Sequence, residues 1–452
     1  MSASGFGGAT AGVWQNPPVL ADGFGRRPAG RREPAPIAFA FLIGFLVLLF
    51  LSLPLVWPTA ARFAPAHAIA AAALGMVFVE RTAARLPLRL VWPDSHLLIG
   101  FVAVAALSCF TALWSGFAVD NTLLLVRYVA IYLLIVNVTG SLRRLRVLFG
   151  VMAFGGLVPA LGALHGLQTG RLVEGRLGWV GIFSNPNDLA YTLTVLFPLA
   201  LALALVTRSI LLKLALGAVM GVYALTVYLC YSRGGLLGFG VVVLLAVLRW
   251  SRPWLLVPAV LVGAAVLAVG LPMRWNREQG FADLGRDATV RQRLSTIQAG
   301  INMVEDRPLL GVGPGCSEVG WKKYSPDTTL AQGTLHTHNT FVQVLAETGL
   351  VGGGLFYLLL WSGLRKAQRA GRAWKFWGDR DAHRLVSALE IALWGLFVCG
   401  LSGGYVLSWF PYLLLGLVAA AWSITVDAAA AARAAANEST QGELPCAASP
   451  AF

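Results

Sequence analysis

Charge is scarce in this chain. Asp, Glu, Lys and Arg make up 12% of its residues, about half the share of an ordinary soluble domain, which excludes a water-soluble globular fold. Metal and redox signatures are lacking too. The five cysteines show no pairing or ligand spacing: Cys109, Cys230 and Cys399 sit in apolar runs, Cys446 lies near the C-terminus, and Cys316 falls in a polar segment, in what reads as a turn. No HExxH, GxSxG, Walker or DxD-like pattern stands out. The acids Glu278, Asp283, Asp287, Glu305, Asp306, Glu318 and Asp327 have no metal-cage spacing, so neither a metal nor a cofactor is expected. The ten-residue alternation of a membrane barrel is also missing.

Long apolar runs are what the chain does have. Hydrophobic residues make up 57%, gathered in stretches of about 20, enough to cross a bilayer as helix. Twelve spans are predicted: 37–55, 65–79, 96–113, 123–138, 147–167, 189–206, 210–231, 234–249, 253–272, 340–361, 385–405 and 407–425. The fold class is therefore an all-α polytopic membrane protein of about 12 transmembrane helices. Residues 1–36 read as a disordered cytoplasmic N-terminus, 37–272 as helices one to nine, 273–339 as one large, partly helical periplasmic loop, 340–425 as helices ten to twelve, and 426–452 as a disordered cytoplasmic tail. The first run is too long for a signal-peptide core and reads as a retained anchor.

The net charge is +14. Nucleic-acid binding is one explanation of such a charge, and topology is the other. With the N-terminus inside, 22 of the 35 Lys and Arg fall on inner segments and every inner loop is basic, so topology accounts for the charge without nucleic acid. The outer side is not neutral, however. Eight cations lie in 273–339, and Arg171 and Arg176 lie in 168–188. A basic outer surface suits an anionic ligand, and a loop of that length is disproportionately functional.

Within the loop, Leu294, Ile297, Ile301 and Val304 recur at helical spacing over Thr289–Glu305. This predicts an amphipathic helix whose apolar stripe rests on the membrane face or on neighbouring spans, ended by Pro308. Gly311-Val-Gly313-Pro314-Gly315 follows. It lacks the strand–loop–helix setting and the Lys of a phosphate-cradling loop, and reads as a turn.

At the end of the loop stands His336-Thr-His338-Asn339. Asn339 can cap the helix that follows. Asn339, Gln343 and Glu347 then share one face, expected to point at an internal cavity. Glu347 is about 13–14 Å along the helix from His338, too far for a direct dyad, and a structural hydrogen-bonding role suits it. Position alone leaves both histidines open between proton transfer and a cap or surface role. Arg233, in Tyr231-Ser232-Arg233-Gly234-Gly235, either snorkels to the headgroups or joins a clamp. Arg293, beside Arg291, starts the amphipathic helix. Arg171 and Arg176 precede Gly181-Ile-Phe183-Ser184-Asn185-Pro186-Asn187-Asp188, which caps a span. Several guanidinium groups on one side would hold a diphosphate through bidentate bonds.

These motifs together resemble the O-antigen ligases and polysaccharide polymerases. The resemblance rests on Thr289-Val-Arg-Gln-Arg293-Leu, Pro308-Leu-Leu-Gly311-Val-Gly313-Pro-Gly315, His338-Asn339 with Glu347, Gly349 and Gly352, the upstream Ser232-Arg233-Gly234, and the Asn-rich 181–187 segment. It covers about 175–360; the flanking spans agree only in number and topology. It implies a GT-C-like helical architecture and a metal-independent glycosyltransferase in the bacterial inner membrane, with its active site on the periplasmic side. The donor would be a saccharide on undecaprenyl diphosphate; the acceptor would be lipid A–core for a ligase, or another lipid-linked glycan for a polymerase. Carried over, Arg233 and Arg293 bind the diphosphate, and His338, favoured over His336 by its adjacency to Asn339, acts as base or orients the acceptor. Arg291, His336, Asn339, Arg176, Asn185 and Asn187 become substrate-binding candidates. The choice between ligase and polymerase leans slightly to polymerase, because nothing in the sequence specifies a lipid A–core acceptor. The competing class is a lipid-linked glycan transporter or flippase, which would need polar residues along a midplane path. Deep charges are sparse, with Arg127 near a span end and Glu347 and Glu390 the main internal acids.

Overall fold

The structure is a computed structural model that describes residues 35–52, 65–173, 175–250, 288–325 and 337–442. The helices are α1 Pro36–Leu51, α2 Pro65–Ala83, α3 Asp94–Ser108, α4 Ser115–Val138, α5 Leu142–Gly155, α6 Leu157–Gln168, α7 Pro186–Val206, α8 Ile210–Leu229, α9 Arg233–Trp250, α10 Ala288–Asp306, α11 Cys316–Tyr324, α12 Thr340–Phe376, α13 Arg380–Gly400 and α14 Trp409–Gly442. Among the described residues there is no strand, only an isolated bridge between Val173 and Arg176.

The chain is an all-α polytopic membrane protein. Nine helices among the described residues are long and apolar enough to cross a bilayer. Of the other three expected spans, α1 has 16 residues and falls short, α2 is outside the nine, and 253–272 lies outside the described residues. Nine of the 12 expected spans thus have a candidate among the described residues. α5 and α6 together form one span, bent at Gly156. α14 continues as helix to Gly442, where a disordered tail was expected from 426. Its extension over 428–436 is mostly alanine, the residue least costly to hold in a helix.

The core is built on α7, α13 and α14, the most buried spans, with α8 and α9 at the rim. Two ion pairs fix helices side by side. Arg249 at the end of α9 bonds both oxygens of Glu390 on α13, at 2.7 and 2.6 Å. Lys366 on α12 lies 2.7 Å from Asp94 at the start of α3. Glu390, Lys366 and Asp94 are buried while Arg249 reaches the surface, so removing the partner of any of the three buried groups would strand its charge.

The 37-residue α12 is broken at Gly349, with φ 65° and ψ −171°. The break frees two carbonyls, those of Ala346 and Glu347, which accept from the N–H groups of Val312 and Gly313 at 2.8 and 3.0 Å. Beyond it, the N–H groups of Leu350 and Val351 donate to Pro308 and Leu309 at 2.7 and 3.5 Å. The 308–313 segment therefore satisfies the backbone of the break. The expected turn at Gly311–Gly315 is a structural splice.

Helix α10 forms where the spacing predicts it, and the face it buries against the protein is the one rich in small residues. The apolar Leu294 and Ile301 are 61% and 40% exposed, while Ser295, Thr296, Ala299 and Met303 are buried. Small residues let the backbone approach its neighbours. Gly300 packs against Val342 in the first turn of α12. Ser295 bonds Ser325, and Asn302 donates to the Tyr324 carbonyl.

Candidate functional site

Three helix starts meet around one short stretch, Leu401–Tyr405, in the link between α13 and α14. The first is that of α9. Tyr231 takes a left-handed φ of 47° and turns the chain between α8 and α9. The buried Ser232 then caps α9, its hydroxyl accepting from Gly235 N at 3.2 Å. That places Arg233 in the first turn, half-buried. Gly234 fits so closely against Ser402 that an added Cβ would overlap the Ser402 hydroxyl.

The second start is that of α12. Asn339 accepts from Phe341 N and Val342 N at 3.0 and 3.1 Å, the expected cap, and its amide donates to the Leu401 carbonyl at 3.3 Å. Thr340 donates to the Gly403 carbonyl at 2.6 Å and accepts from Tyr405 N at 3.1 Å. His338, half-buried, stands immediately before this docked turn.

The third start is that of α7. Asn185 caps it, accepting from Asn187 N at 2.8 Å. Arg176 ties it to the end of α8, donating to the Cys230 carbonyl at 3.0 Å and to Asn187 Oδ1 at 2.7 Å. Two turns into α7, Tyr191 donates to the Ser402 carbonyl at 3.0 Å and lies 3.1 Å from the Ser402 hydroxyl. Arg293 on α10 lies within electrostatic reach of the Tyr191 hydroxyl.

The α9 start that carries Arg233 and the α12 start that His338 precedes thus both dock on 401–405, as does Tyr191 of α7; Arg293 lies within electrostatic reach of Tyr191, and Arg176 bridges the α7 start and the end of α8. Each helix start carries a partial positive charge on its unpaired N–H groups. Arginines added to such a cluster suit an anion with several oxygens. The acid in the first turn of α7 is Asp188, half-buried and within electrostatic reach of Tyr405.

Not every expected residue joins this group. Arg291 is exposed and makes no hydrogen bond or ion pair with a described residue, whereas Arg293, two residues on, turns inward. His336 lies outside the described residues. Gln343 and Glu347 share a face as predicted, but that face meets α11 and not an open cavity. Glu347 is buried, and its Oε1 accepts from Ser317 at 2.6 Å and Gln343 at 3.0 Å. Cys316 is buried, its thiol pushed up mainly by burial and donating to the Trp114 carbonyl at 3.6 Å, which leaves it inert as a nucleophile. Sequence reasoning passed over Tyr191, Ser402 and Asp188. The signal for Ser402 was the Ser-Gly-Gly break between the last two apolar runs, and for Tyr191 a lone phenol within an apolar run.

Residues 216–357 match the family profile described as O-Antigen ligase. This range takes in Arg233, Arg293, the 308–315 turn, His338 and Glu347; Arg176, Tyr191 and Ser402 lie outside it. The exopolysaccharide production protein ExoQ of Rhizobium meliloti (strain 1021) is 26% identical over 47% of this chain and 52% of the relative. The chain spans about half the length of the curated relative it matches.

Proposed function

We propose, from the match of residues 216–357 to the O-Antigen ligase profile and the similarity to an exopolysaccharide production protein, that this chain is a metal-independent membrane glycosyltransferase of the O-antigen ligase and polysaccharide polymerase type. It moves a saccharide from an undecaprenyl-diphosphate donor to a glycan acceptor at the periplasmic face of the bacterial inner membrane. The observation that carries this reading is the convergence of three capped helix starts with Arg176, Arg233 and Arg293.

A sugar on a lipid diphosphate is already activated, so the chemical difficulty is charge on the leaving group. An acceptor hydroxyl oxygen bonds to the anomeric carbon, the bond from that carbon to the diphosphate oxygen breaks, and the lipid diphosphate departs with the electron pair. Arg233 and Arg293 stabilise the charge that develops on it. His338 takes the proton of the attacking hydroxyl or orients that hydroxyl. Arg176, Asn185, Asn187 and Asn339 hold the helix starts that shape the site, and Arg291 extends the basic surface over which the donor head arrives. The loop 273–339 lies in the periplasm, and both termini lie in the cytoplasm.

The matched relative is described as an exopolysaccharide production protein, and this favours a polymerase over a ligase. The glycan of a deletion strain tests the choice. A polymerase leaves single repeat units and no long chains; a ligase leaves free polymer and uncapped lipid A–core.

A further inference from the structure

We infer that the end of α12 remote from Asn339 is a binding site for anionic phospholipid headgroups. This rests on the chain spanning a membrane and not on the proposed glycan transfer.

The outward face of α12 carries Leu358, Trp361, Arg365, Arg369, Arg372 and Phe376, at steps of three or four residues, which is one strip of a helix. All six are exposed, Leu358 and Trp361 at 55% each and Phe376 at 64%. Lys375 flanks the strip. The opposite face, with Leu359, Leu364, Ala367 and Trp374, is buried against α3, α13 and α14.

The two faces treat charge differently. Lys366 points inward, where it pairs with Asp94 and donates to the Trp92 carbonyl at 2.8 Å. Arg365, Arg369 and Arg372 point outward, and none takes part in an ion pair among the described residues. No Asp or Glu occurs between Leu350 and Phe376. Neighbouring acids are engaged elsewhere. Asp379 caps α13 by accepting from Ala382 N at 2.9 Å, Asp381 lies 3.7 Å from Arg384, and Asp427 pairs with Arg89 at 2.8 Å.

The strip is continuous with lipid-facing surface at Leu358 and Trp361, so its occupant has an apolar part. The Arg365 guanidinium lies 4.6 Å above the Trp361 ring, at the boundary where tryptophan marks the headgroup level. Successive arginines stand about 5–6 Å apart, close enough for two planar forks to share one phosphate. Four unneutralised cations immediately past the apolar run attract anionic lipid. A lipid with a negatively charged headgroup meets both requirements; a soluble acidic peptide meets only one.

The full-length protein in detergent can be titrated with phosphatidylglycerol and with phosphatidylcholine, and the retained lipid counted by native mass spectrometry. Wild type is expected to prefer phosphatidylglycerol by about tenfold or more, and R365Q/R369Q/R372Q to lose that preference. R208Q/K213Q/R380Q removes three exposed cations from the same end of the bundle and is expected to change the ratio by less than about twofold. Equal retention by wild type and R365Q/R369Q/R372Q would overturn the assignment. So would an equal loss in the control variant, or displacement of the lipid by millimolar inorganic phosphate.

Discussion

Gly311 and Gly349 meet backbone to backbone. Gly311 has φ 70°, and an added Cβ would stand 2.5 Å from the Ala346 carbonyl oxygen and 2.6 Å from Gly349 N. Gly349 has φ 65°, and an added Cβ would overlap the Leu309 carbonyl. Both residues need a left-handed backbone and close approach at once. G311A and G349A should each cost about 1–3 kcal/mol or more. A thermal melt in detergent checks this against G354A, where nothing lies within 4 Å of the added Cβ and the change should be neutral or mildly stabilising.

Glu347 holds the start of α11 against α12 through Ser317 and Gln343. E347A leaves both donors buried without an acceptor, a loss of about 1–3 kcal/mol. E347Q keeps one acceptor oxygen and should retain more stability and most of the transfer activity. Comparable activity loss in E347Q and E347A at equal protein level would assign the carboxylate a chemical role instead.

The thiol of Cys230 is fully buried and donates to the Leu177 carbonyl at 3.5 Å. At pH 8 a maleimide should label Cys230 only after denaturation, measured in a C109S/C446S background with Cys316 and Cys399 tracked by peptide mapping. Rapid labelling of the folded protein would contradict this burial.

Tyr191 and Ser402 hold the α9 start beside α7. Y191F removes the hydroxyl that serves Ser402. It should lower the rate of transfer by about three- to tenfold, equivalent to about 0.5–1.5 kcal/mol, with little change in protein level. Steady-state transfer assays on purified Y191F, compared with S402A, check this.

The helices were legible because apolar runs of membrane length carry their own signal, and Asn339 because a cap is a local event. The Gly311–Gly349 splice was invisible: its two halves are far apart in sequence, and a glycine alone does not say which backbone approaches it. Which face α10 packs on the protein was not legible for a related reason. An apolar stripe marks a core in water, but at a membrane edge the small residues can be the packed ones, as Ala299 and Gly300 are. Arg233, Arg293 and His338 stand in the sequence as motifs. The docking of the α9 and α12 starts on 401–405 does not show there, because it depends on how α13 and α14 return.

The central claim concerns what Arg233, Arg293 and His338 do together. Purified protein in detergent, given a synthetic polyprenyl-diphosphate saccharide and an acceptor glycan, should release lipid diphosphate and form the extended glycan. R233A, R293A and H338A should each lower that rate by about 100-fold or more, with the melting profile of the protein preserved. Full transfer activity in H338A, or in both arginine variants, would contradict the account.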